Sequence, residues 1–72
     1  MILTIHEHRV EARADSPDPS VPLSGRLIGA AQHVAEVDRW ATSYRAGDDW
    51  RGIPSMYATR KEAILALIDA LT

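Results

Sequence analysis

The segment Gly25–Gly47, "GRLIGAAQHVAEVDRWATSYRAG", decides the fold, because two periodicities run through it. At 3.6 residues per turn, Leu27, Ala31, Val34, Val37, Ala41 and Tyr44 form one helical stripe. At a period of two, Ile28, Ala30, Gln32 and Val34 share one strand face, and Trp40, Thr42 and Tyr44 share a face of a second strand. Glu36–Asp38 would then form the turn. We read strands. Gly25 and Gly29 would each weaken a helix by about 1 kcal/mol, and "RWATSYR" is rich in aromatic and hydroxyl residues that suit a pleated surface. On that reading Trp40 is a core residue, and Arg39 and Arg45, on the opposite face, meet water.

Downstream, "AGDDWRG" reads as a turn. Gly47 tolerates positive φ, and Asp48 and Asp49 can bond nearby backbone N–H groups. "IPSMYA" reads as a further short strand. Pro54 offers no ladder donor, so this strand lies at an edge or pairs only beyond the proline. The last element is a helix. Thr59-Arg60-Lys61-Glu62 has capping-box spacing, and Ile64, Leu67, Ile68 and Leu71 follow at i, i+3, i+4 and i+7. Ala63, Ala66 and Ala70 allow close approach to a sheet.

Upstream, "ADSPDPSVP" contains three prolines and no periodicity, which marks a loop. Before it, Glu7, Arg9, Glu11 and Arg13 alternate with His8, Val10 and Ala12, so the first element reads as one strand with its charges on one face. Leu3 and Ile5 break that alternation; either they flank the true start of the strand or a bulge shifts the register there. The chain thus divides into an N-terminal strand (1–13), a Pro-rich loop (14–24), antiparallel strands (25–58) and a helix (59–71). The expected fold is α+β, a small three- to four-stranded antiparallel sheet with one C-terminal helix packed on one face.

Composition narrows the function. Seventy-two residues make one domain with a small core. The absence of cysteine removes disulfides, thiolate chemistry and cysteine zinc sites. A net charge of −2 gives no general attraction to nucleic acid or anionic lipid. No apolar run approaches a membrane span. "MILTIHEHRVEAR" begins apolar and then turns charged, the reverse of a signal peptide, so a cytoplasmic location is expected. A small core and an unpaired sheet edge favour self-association as a dimer.

The residues "HV…W…T…EAI", at His33, Val34, Trp40, Thr59, Glu62, Ala63 and Ile64, resemble a family of small actinobacterial and phage β-β-β-α domains. The order of elements over Gly25–Leu71 also resembles, more distantly, the three-stranded DNA-binding domains of plant transcription factors and the arm-binding domains of phage integrases. The nearer resemblance implies a fold and no activity.

Three function classes follow. An enzyme is not expected: no P-loop, nucleophile elbow or nucleophile-plus-base pattern occurs, and Asp48 and Asp49 read as turn formers. His6 and His8, two apart on one strand face, could approach a metal with His33, but a structural zinc site usually takes more ligands; no metal or cofactor is expected. For nucleic acid, Arg39 and Arg45 would form the binding face. Against this, the seven arginines and one lysine are outweighed by ten carboxylates, and phosphate binding needs a concentrated positive field. A non-enzymatic protein-interaction module, such as a phage or accessory regulator, is the preferred expectation. Its contact site would be Trp50 and Arg51, flanked by Asp48 and Asp49.

Overall fold

A computed structural model describes residues 1–18, 20–21 and 25–72. The strands are β1 (Ile2–Ile5), β2 (Arg9–Arg13), β3 (Leu27–Val34), β4 (Arg39–Ala46) and β5 (Asp49–Gly52), followed by helix α1 (Arg60–Leu71). They form one antiparallel sheet in the order β1-β2-β3-β4-β5. The fold is α+β as expected, with five strands instead of three or four.

The strand reading of Gly25–Gly47 holds. His33 stands opposite Trp40 and Val34 opposite Arg39, so Ala35–Asp38 close the β3–β4 hairpin. Asp38 takes φ 50°, the left-handed conformation that short polar side chains tolerate best. The two glycines that argued against a helix have packing reasons. A Cβ on Gly29 would stand 2.7 Å from Leu67 Cδ1 and 3.1 Å from Leu71 Cδ1; the missing side chain lets α1 sit close to β3. A Cβ on Gly25 would collide with the backbone carbonyl of Ala14. Between Ala12 and Arg13 the β2–β3 register shifts, leaving Ile28 without a partner on β2.

Three sequence expectations are corrected. Residues 1–13 are a hairpin and not one strand. The chain reverses at Glu7–His8, with the His6 N–H donating to the Arg9 carbonyl at 2.7 Å. Leu3 and Ile5 therefore return opposite Ala12 and Val10, which accounts for the broken alternation. "AGDDWRG" is mostly strand: only Gly47 and Asp48 turn, and Ala46 already faces Asp49. Gly47 at φ 65°, followed by an Asp48 without positive φ, has the sign pattern of a type II′ hairpin turn. "IPSMYA" forms no strand. Tyr57 alone bridges Trp40, through N–H···O bonds of 2.7 and 2.9 Å, so pairing does resume beyond Pro54. Part of the Pro-rich loop, at Pro19 and Pro22–Ser24, lies outside the described residues.

Helix α1 starts at the expected cap, with the threonine half of the capping box formed and no return bond from the Glu62 carboxylate among the described residues. Thr59 is extended (φ −127°, ψ 156°) and its hydroxyl accepts from the Glu62 N–H at 3.2 Å. The helix lies across β3 and β4. Ala63 and Leu67 are fully buried against the sheet, and burial of a leucine contributes about 1.5–3 kcal/mol. Val10, Ala31, Trp40 and Ala63 form the core cluster, with Tyr57 and Ile64 packed against it. Trp40 is the core residue its alternation implied, 7% exposed.

Candidate functional site

The register assigns every strand residue to one of two faces. Gly29 lies under Leu67, so its partners Ala12 and Tyr44 lie on the helix side, as do Ala31 with Val10 and Thr42. The alternate residues form an open face. There Arg9, Glu11 and Arg13 of β2 stand beside Ala30 and Gln32 of β3, then Arg39, Ala41, Ser43 and Arg45 of β4, and finally Trp50 of β5. Four arginines thus meet one carboxylate on a single face, in a chain whose acids outnumber its bases by two. A shallow trough of about 250 Å³ crosses this face over Ala30, Ala41 and Ser43, with Arg9 and Gln32 on its rim.

Most of this charge is already paired. The Glu11 carboxylate lies 3.4 Å from Arg13 Nη2, 3.8 Å from Arg9 Nε and 3.3 Å from His6 Nε2. Arg9 also donates to Gln32 Oε1 at 3.1 Å, and Arg13 to the Gly25 carbonyl. Arg45 donates from Nε to the Gly47 carbonyl at 3.0 Å, and its Nη2 lies 3.8 Å from Asp48. Arg39 is exposed and has no partner among the described residues. Of the pair Arg39 and Arg45, only the first is free to meet a phosphate.

The β4–β5 hairpin carries the other site residues and separates them. Trp50 stands opposite Arg45 on the open face, 45% exposed. Asp49 and Arg51, opposite Ala46 and Tyr44, belong to the helix side. Asp48 sits in the turn, fully exposed, between Arg26 and Arg45. The sequence reading grouped all four in one turn; the strand disperses them, because successive side chains alternate. What they share is an edge: β5 is the last strand of the sheet, every residue of it exposed.

The three histidines do not converge on one point. The reversal at Glu7–His8 sends His6 to Glu11, while the His8 ring stacks on His33 with centroids 5.5 Å apart. His33 Nε2 lies 2.8 Å from Asp38 Oδ1, and its ring tilts against Trp40. Same-face spacing of His6 and His8 required a continuous strand, and the strand is not continuous. Among the described residues no group of three His, Asp or Glu side chains could hold a metal ion. No helix among them is long and apolar enough to cross a membrane.

Sequence reasoning missed that Arg9, Glu11 and Arg13 share a face with Arg39 and Arg45. Charge alternation identified each set separately, but only the register joins them. No family model, curated protein or solved structure matches the chain.

Proposed function

We propose that this domain is a non-enzymatic binding module that docks a larger protein along the β5 edge, with Trp50 as its anchor. The observation that carries the reading is a half-exposed tryptophan on an edge strand. An edge strand offers unpaired backbone N–H and C=O groups to an incoming strand. Tryptophan is among the side chains enriched at the hot spots of protein interfaces. Asp48 and Asp49 at the same edge would repel phosphates, which favours a protein partner there. A second copy of the chain could use the same chemistry, and β1 supplies another edge for a dimer.

The second reading, nucleic-acid binding, is favoured by the four arginines of the open face. Three observations weigh against it. Five strands at about 4.8 Å spacing make a sheet about 19 Å across, wider than the roughly 12 Å major groove. Three of the four arginines already have acceptors within the chain. One exposed aromatic on that face makes a poor platform for stacked bases.

Affinity capture from the native host, with and without nuclease, separates the two readings. The protein reading expects capture that survives nuclease and weakens by about 2 kcal/mol or more in Trp50→Ala, the scale of a hot spot. Loss of capture with nuclease, together with loss of DNA retention at low salt in Arg39→Ala and Arg45→Ala, would establish the nucleic-acid reading instead.

A further inference from the structure

A cleft of about 320 Å³ opens between α1 and the segment that leaves β5. Its walls are apolar: Ile53 and Pro54 on one side, Ala66 and Ala70 of the helix on the other. Tyr44, Gly52, Tyr57 and Asp69 complete its lining. Neither the Asp69 carboxylate nor either tyrosine hydroxyl has a hydrogen-bond or ion-pair partner among the described residues.

Asp69 is misplaced for stability. It lies in the last turn of α1, where the helix has no basic residue. A carboxylate there opposes the negative end of the macrodipole, and nearby carbonyls deepen the negative potential. Two tyrosines in the lining offer rings on which a cation can rest. Asp49 and Arg51, on the same side of neighbouring β5, carry opposite charges that largely cancel at a distance.

We propose that this cleft receives a lysine side chain from the bound partner, with Asp69 as counter-ion. The proposal rests on the edge-docking reading, since a strand laid along β5 would run past Gly52 and Ile53 into the mouth of the cleft. An ammonium offers donors to the Asp69 carboxylate, and its apolar stem fits the alanine, isoleucine and proline walls. The cleft suits lysine better than arginine, because one carboxylate offers no second partner to a planar fork.

The probe is Nα-acetyl-lysine methylamide, titrated into the whole chain while backbone amide NMR shifts are followed. Shifts should concentrate at Gly52, Ile53, Ala66 and Ala70. Asp69→Asn should weaken binding about threefold to fivefold, the upper range for a partly exposed ion pair. The Nε-acetylated probe, which is neutral, should weaken by at least as much. Removing an acid from the helix C-terminus should not unfold α1, and circular dichroism checks this. Equal binding of neutral and charged probes, an unaffected Asp69→Asn, or shifts elsewhere would each overturn the proposal. No probe binding, with capture still dependent on Trp50, removes the cleft alone. Probe binding with capture indifferent to Trp50 removes the edge reading, and with it the partner as the source of the lysine.

Discussion

Across β2, β3 and β4 the two faces of the sheet are made of different kinds of residue. On the helix side, Val10, Ala12, Ala31, Trp40 and Thr42 are buried and uncharged. On the open side, arginines alternate with small residues, and a tryptophan is left half in water. A chain of this length can cover one face only, so folding free energy concentrates under α1. The open face then tolerates residues chosen for other reasons. The two tryptophans embody the contrast: the same side chain is structural at position 40 and available at position 50.

The contrast is broken or sharpened by four substitutions, each followed by urea denaturation. Trp40→Ala should cost roughly 3–5 kcal/mol, as a large core truncation does, and leave the domain unfolded or nearly so. Thr42→Val tests the covered face in the other direction. Thr42 is 4% exposed and its hydroxyl has no hydrogen-bond partner among the described residues. An unsatisfied buried hydroxyl costs about 1–3 kcal/mol, so valine should raise the midpoint; a lower midpoint would mean the hydroxyl is satisfied. Thr59→Ala, which loosens the helix that covers the face, should lose about 1 kcal/mol, and an unchanged midpoint would deny the cap its role. Trp50→Ala should move stability by less than about 0.5 kcal/mol, as surface changes do. Were it to unfold the protein as Trp40→Ala does, the distinction between the faces would be lost.

Legibility in the sequence followed the same division. Helix α1 was readable because cap, spacing and propensity agree over twelve residues. Trp40 was readable as core because "RWATSYR" alternates without interruption. The reversal at Glu7–His8 was hidden, since neither residue is a characteristic turn former and no glycine or proline marks the place. β5 was hidden for a different reason: it is four residues long, and the glycine and aspartates that close its hairpin lie against it, so turn chemistry masked the strand. The candidate site suffered from both errors. Which arginines share a face, and whether Trp50 and Arg51 point together, depend on where each hairpin turns. A shift of one residue inverts the answer.

The meander order carries a kinetic consequence. Each strand pairs with its neighbour in sequence, and three of the four hairpins close over two or four residues. Short closures form in about 1–10 μs. The remaining connection, between Arg13 and Leu27, spans the prolines and must close before β2 can join β3. That closure is where a folding nucleus built on β3, β4 and α1 would wait for the N-terminal hairpin. Lengthening this loop with flexible residues should slow folding and leave the unfolding rate almost unchanged, since the added entropy burdens only the step that brings the hairpin in.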